Sequence, residues 1–160
     1  MKVLAIDPGY GRMGYAVVES QNGKLIPLEY GVFETNSQHS FENRLLEIRK
    51  LLKKTLKKHS PDAIASERLL FSANKKTAIG VAMALGTAVC VCAENGLKWF
   101  EYTPAEVKTA VSGNGSAEKQ QVKFMVSKIM KIQPGIKPDD AADALAIAIC
   151  HLNRGRSLGL

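Results

Sequence analysis

Four apolar residues, Val3-Leu4-Ala5-Ile6, run into Asp7 and then break at once into Pro8-Gly9-Tyr10-Gly11. A short, wholly apolar run bounded by turn residues reads as a strand buried on both faces. Such a strand belongs in a sheet with helices packed on either side. It also carries Asp7 to the sheet edge, beside free backbone N–H groups, a placement that phosphate or metal chemistry uses. What the site does depends on whether other carboxylates reach the same place.

The rest of the chain supplies the layers. Gly14–Glu19 and Leu25–Thr35 read as two further strands, and Asn22-Gly23 between them favours a tight hairpin, so three antiparallel strands open the chain. Phe41–Lys58 turns helical, with Phe41, Leu45, Ile48, Leu52 and Leu56 on one face and the lysines from Lys50 to Lys58 on a solvated one. Ser40 is placed to cap that helix and Pro61 to stop it. Ala63–Glu67 is a fourth strand, again ending in an acid. Thr77–Glu94 reads as a buried alanine-rich helix closed by Asn95-Gly96, and Lys98–Tyr102 as the fifth strand. Thr103-Pro104-Ala105-Glu106 is a capping box with proline at the first helical position. Gly113-Asn114-Gly115-Ser116 ends the short helix that follows. Ala117–Met130 and Asp139–Asn153 are the last two helices, and 154–160 a frayed basic tail. The expected fold is α/β, a single domain over 1–153 with a central mixed five-stranded sheet and helices on both faces.

The 160 residues suffice for one well-filled core, and the low aromatic share (6% against 46% hydrophobic) makes that core aliphatic. A net charge of +7 favours an anionic partner such as nucleic acid. Cys90, Cys92 and Cys150 fit neither a disulfide framework nor a zinc spacing, and read as buried thiols in a reducing cytoplasm. His39, His59 and His151 are scattered and read as surface or cap positions. No signal peptide is visible, and the uncharged stretch from Thr77 to Ala93 falls short of a bilayer span. The expected location is cytoplasmic.

Two strands end in acids, Asp7 and Glu67, at the carboxyl ends where α/β sheets place ligands. Asp139-Asp140-Ala141-Ala142-Asp143 opens the last helix. Asp140 and Asp143 are three residues apart and share a face of its first turn. Capping accounts for Asp139 and fairly well for Asp140. It accounts less well for Asp143, which precedes the apolar run from Ala144 to Cys150 and needs a cationic or metal partner. Lys137 and Arg154 are the nearest bases in sequence, and neither is well placed. Carboxylates without nearby histidine or cysteine suit hard divalent ions, Mg²⁺ or Mn²⁺. Two such ions about 3.5–4 Å apart clamp the attacking and leaving oxygens of an in-line phosphoryl displacement.

Taken together, these motifs resemble those of the RuvC Holliday junction resolvases, members of the ribonuclease H-like nuclease superfamily. Ile6-Asp7-Pro8-Gly9 with Gly14-Tyr15 is similar to the family's opening motif, and Glu67-Arg68-Leu69-Leu70-Phe71 with Asn74-Lys75 to its second. Val107-Lys108 with Gly113-Asn114-Gly115-Ser116-Ala117-Glu118-Lys119 is similar to its basic motif, and Asp140-Ala141-Ala142-Asp143 to its last. The resemblance implies a ribonuclease H-like fold and a homodimer that cuts four-way DNA junctions by paired symmetrical nicks, beside a branch-migration motor complex. It implies Asp7, Glu67, Asp140 and Asp143 as catalytic ligands of two Mg²⁺ ions, with Mn²⁺ as substitute. The family's better-known members place an aromatic residue three positions after the glutamate. Here Leu70 stands there and the aromatic is Phe71, so Phe71 has two roles open to it, stacking at the junction centre or plain packing.

For DNA contact the strongest candidates are Lys108 and Lys119, with Gly113, Gly115 and Ser116 shaping a loop whose free N–H groups favour phosphate. Lys75 and Lys76 come next. Small residues along Thr77–Glu94 permit close approach by a second backbone, so one face of that helix is expected at a dimer contact. Three other readings stand beside this one: an actin-like ATPase lobe, a ribonuclease H-like nuclease of different substrate, and a junction-binding scaffold without catalysis. The first needs two lobes where the chain has length for one. The full set of four acids weighs against the last.

Overall fold

Val3, Leu4, Ala5 and Ile6 are all fully buried, and their alternation splits the core in two. Val3 and Ala5 join one apolar cluster, and Leu4 and Ile6 the other, on the opposite face. The structure is a computed structural model. It describes residues 1–69 and 75–157, with side chains throughout except at 75, 76 and 155–157. Leu70, Phe71 and the side chains of Lys75 and Lys76, candidates at the DNA, lie outside the described residues.

The sheet has five strands in the order β3-β2-β1-β4-β5. β1 (Lys2–Asp7), β2 (Arg12–Gln21) and β3 (Lys24–Glu34) are antiparallel neighbours. Asn22 and Gly23 turn the hairpin with φ of 48° and 80°, the left-handed pair that matches strand twist. β4 (Ala63–Glu67) and β5 (Lys98–Tyr102) run parallel to β1 on its other side, so the sheet is mixed, as expected.

The Leu4/Ile6 face is covered by α1 (Phe41–His59) and α2 (Lys75–Glu94) through Ile48, Leu52, Leu56, Ala84, Ala88 and Val91. The Val3/Ala5 face is covered by α3 (Pro104–Ser112), α4 (Lys119–Met130) and α5 (Asp139–Ser157). α5 lies at the centre of this layer. Ala141, Ala142 and every residue from Ala144 to Leu152 are buried, because the sheet covers one side of the helix and α3 and α4 another.

Several expectations need correction. α2 is not a buried helix: Ile79 is 71% exposed and Met83 49%, because its neighbours are α1 and the short β5. Cys90 lies on that uncovered side and is exposed, whereas Cys92 and Cys150 are buried. His151 is 3% exposed rather than a surface residue, and its Nδ1 bonds the Tyr102 hydroxyl at 2.7 Å. α5 continues past Asn153 to Ser157, and Arg154 donates to Glu106 Oε1 at 2.7 Å. Ser40 occupies the N-cap of α1 without a side-chain cap bond.

Candidate active site

Strand parity aims the two strand-end acids. Asp7 follows Val3 and Ala5 at the two-residue period, and Glu67 follows Ala65, so both belong to the face that α5 covers. β1 and β4 are parallel neighbours with Ile6 opposite Ser66, which sets Asp7 and Glu67 side by side where the strands end. α5 brings the remaining two. Its first turn lies directly on β2 at Gly14, where a Cβ would stand 2.1 Å from the Asp140 carbonyl oxygen. Only a residue without a side chain lets helix and strand meet so closely.

Asp7, Glu67 and Asp143 line one cleft of about 280 Å³ together with Lys108 and Lys119. Pro104, Val107, Val122 and Ala146 form its apolar wall. The acids feel one another strongly. Burial first, then the charges of Asp143, Glu67 and Asp140, push Asp7 up to about 7, with Lys119 opposing. Glu67 is raised as well, by burial and then by Asp143, and eased by Lys108 and Lys119. A carboxyl that holds its proton near neutrality amid three others marks a site short of positive charge.

Two cations already answer part of that shortage. Lys119 Nζ donates to Asp143 Oδ2 at 2.9 Å and stands 3.7 Å from Asp139 Oδ2. Its hydrogen bond to Asp143 raises the Lys119 ammonium above its ordinary value. Lys119 is therefore the partner that Asp143 required, a role sequence spacing did not suggest because α4 and α5 are linked by a loop. On the other side Arg12 pairs with Asp140 Oδ2 at 3.1 Å. Arg12 was missed altogether. Its signal is visible only once Gly14 is known to seat α5, since Arg12 is two residues earlier on the same face of β2. Asp139 pairs with Lys123 and Lys119, and those partners hold its carboxyl below the usual range.

The loop ahead of Lys119 is firmly built. Thr103 and Glu106 close the expected capping box, with Glu106 Oε2 accepting from Thr103 N at 2.8 Å. Gly113 ends α3 at φ 75°, and its N–H bonds Thr109 O at 2.8 Å. Asn114 Oδ1 then accepts from both the N–H (3.0 Å) and the hydroxyl (2.8 Å) of Ser116. Gly113, Gly115 and Ser116 thus hold Lys119 at the first turn of α4, facing the acids.

The donor set suits a hard divalent ion, for among the described residues the anionic groups lining the cleft are all carboxylates. Among the described residues, no three Asp, Glu, His or Cys side chains are yet drawn together as a metal cage. The acids are electrostatically coupled, and one of them is occupied by a lysine.

Comparison with known proteins agrees with this geometry. The family described as "Crossover junction endodeoxyribonuclease RuvC" matches residues 3–151. The chain is 45% identical over 156 residues to the crossover junction endodeoxyribonuclease RuvC of Syntrophomonas wolfei, covering 98% of this chain and 91% of that one. It is equally similar to its counterpart from Ruminiclostridium cellulolyticum, over 98% and 94%. The structure superposes on Thermus thermophilus RuvC in complex with a Holliday junction substrate with a TM-score of 0.92 at 33% identity, covering 98% and 96%. A yeast mitochondrial Holliday junction resolvase, at 16% identity and a TM-score of 0.74, shares the fold. The ribonuclease H-like architecture expected from the motifs is the one observed. This chain belongs to the RuvC family of crossover junction endodeoxyribonucleases.

Proposed function

We propose that the chain cuts four-way DNA junctions by paired symmetrical nicks, with Asp7, Glu67, Asp140 and Asp143 as the metal-binding catalytic set. The observation that carries this reading is the electrostatic convergence of these four acids, two from strand ends and two from one helix turn. Family membership implies a divalent metal, and two Mg²⁺ ions, replaceable by Mn²⁺, suit the charge of the set. Bound there, the ions supply the Lewis acidity that activates water and takes up charge on a departing 3′ oxygen. The chain's own residues do the rest. The parity of β1 and β4 orients Asp7 and Glu67. Gly14 fixes the depth of α5, and the Lys119 ammonium, which pairs with Asp143 at 2.9 Å, would be available to a DNA phosphate were Asp143 to hold a metal. Lys108, on the cleft wall beside Glu67, supplies a second phosphate contact. The products are 5′-phosphate and 3′-hydroxyl ends.

The uncovered side of α2 supports a homodimer. Ile79, Met83, Gly86 and Cys90 recur at helical spacing and are exposed. By length and composition alone, Thr77–Glu94 could cross a membrane, but its other side packs on α1 within the nuclease fold. A second copy completes that packing and sets two clefts on one junction. A branch-migration motor complex as a further partner follows from the family resemblance, and the nuclease domain spans 1–153, with α5 running on to Ser157.

The test is incubation with a synthetic mobile four-way junction in Mg²⁺, alongside linear duplex and an RNA–DNA hybrid. Paired symmetrical nicks in the junction alone are expected. Preferential cleavage of the hybrid, or nicking in EDTA, refutes the assignment. Lys119→Ala should weaken junction binding and flatten its salt dependence by about one phosphate contact.

A further inference from the structure

Tyr10 stands three residues after Asp7 in the turn that joins β1 to β2, and it is gripped by α1, by α2 and by Thr35 just past β3. Its ring meets Phe41 of α1 edge-on at 5.5 Å between centroids, and the Arg44 guanidinium lies 4.7 Å over it. Its carbonyl accepts from the Thr35 hydroxyl at 2.8 Å, and that hydroxyl accepts in turn from Arg44 Nε at 2.9 Å. On α2 the ring rests on Gly80, where a Cβ would lie 2.8 Å from Tyr10 Cδ1 and 3.0 Å from Cε1. Those are atoms of a ring already packed on Phe41 and under Arg44, so an added methyl is accommodated only by displacing the ring from that packing.

The turn has no slack with which to absorb such movement. A Cβ on Gly9 would stand 1.9 Å from the Arg12 carbonyl oxygen, so the chain is already folded tightly on itself. Pro8 fixes one φ between Asp7 and Gly9. At the far end Arg12 holds Asp140 at 3.1 Å. Tyr10 therefore lies in a short, tight turn with Asp7 at one end and the Arg12–Asp140 pair at the other. The residue before Gly80 is Ile79, the most exposed large apolar residue on α2.

We infer that Tyr10, seated on Gly80, is a positioning residue that makes the placement of α2 a determinant of the spacing between Asp7 and Asp140. The inference rests on the reading of α2 as the surface that meets a second copy. It follows that whatever seats against Ile79 and Met83 reaches the metal site through one aromatic ring. In a dimer each cleft would then sense the docking of the other chain.

Gly80→Ala tests this directly, with Gly80→Ala/Tyr10→Leu, in which a smaller side chain makes room for the added methyl, and Tyr10→Phe, which keeps the ring. The first measurement is Mn²⁺ affinity by calorimetry without DNA. Gly80→Ala should weaken it about fivefold or more, the double variant should recover most of that loss, and Tyr10→Phe should match the unaltered protein. Cleavage should follow the same order. In Gly80→Ala the Mg²⁺ concentration for half-maximal rate rises about fivefold, while junction affinity without divalent ions stays within twofold. Unaltered Mn²⁺ affinity in Gly80→Ala, or a double variant no better than the single, overturns the inference. If Gly80→Ala does not fold, Tyr10→Leu alone decides, since the gap it leaves over an unaltered Gly80, which the added methyl of the double variant would fill, should also weaken Mn²⁺ binding, and unchanged affinity refutes the role of the contact. The calorimetry needs neither cleavage nor DNA, so a protein that fails to cut junctions overturns the proposed function and leaves this test intact. Sedimentation of the unaltered protein as a monomer overturns the link to a second copy.

Discussion

α2 and α5 are similar in length and in alanine and aliphatic content, yet one is half bare and the other sealed. α5 is inserted between the sheet and the pair α3 and α4, and its apolar residues vanish from the surface from Ala144 to Leu152. α2 packs on α1 and touches β5, leaving Ile79 and Met83 in solvent. A helix apolar all round must be covered all round, but composition does not say by what. In α5 the cover is the chain itself, and it makes a rigid base for Asp140 and Asp143. In α2 the missing layer is an invitation to another molecule.

The contrast can be broken most sharply at the first turn of α5. Asp143→Asn should cut junction cleavage by about 100-fold or more while leaving junction binding intact. Full cleavage by this variant would remove Asp143 from the catalytic set. Next comes packing. Ala144→Leu adds three carbons where the helix has no free volume and should cost about 1–3 kcal/mol or more in urea unfolding, and a neutral result would mean that α5 is less enclosed than described.

A smaller effect separates the α5 end from the rest by pH. Asp7 in the folded chain is pushed up to about 7, and Glu67 is raised too. The folded state therefore binds protons more readily than the unfolded one. That contribution is full below about pH 4 and is lost as pH rises through about 7. Metal-free protein should thus lose on the order of 1–2 kcal/mol between pH 5 and pH 8, after allowance for solvent screening. Mg²⁺ should restore more at pH 8 than at pH 5. A metal-free melting temperature that rises over this interval would contradict the shared-charge account of the site. The smallest effect on the fold is expected on α2. Ile79→Glu should change the monomer's stability by less than about 0.5 kcal/mol, yet shift sedimentation toward the monomer. A dimer unaffected by Ile79→Glu would place the contact elsewhere.

Much of this arrangement was legible from residues alone. Short apolar runs and turn chemistry located all five strands and the hairpin at Asn22-Gly23, and the capping box at Thr103 has the expected bonds. Asp7, Glu67 and Asp143, which line one cleft, could be picked out because each ends or opens an element, where α/β sheets place ligands. What escaped were long-range partners. Arg12 and Asp140, or Lys119 and Asp143, are joined by how deeply α5 seats, a quantity no local pattern encodes. The exposure of Cys90 and the burial of His151 escaped for the same reason. Local hydrophobicity says that a surface needs covering, and only tertiary packing decides which surface is left over.

Gly14 has a consequence for anyone redesigning this protein. Glycine inside a long strand is an obvious target for stabilisation, because residues with side chains hold extended backbone better. Here the empty Cβ position is the gauge that sets how far the first turn of α5 stands from β2. Filling it would yield a sturdier sheet in isolation and an enzyme whose acids no longer meet. Rules that rank substitutions by local preference would therefore favour a change at the very place where this fold tolerates none.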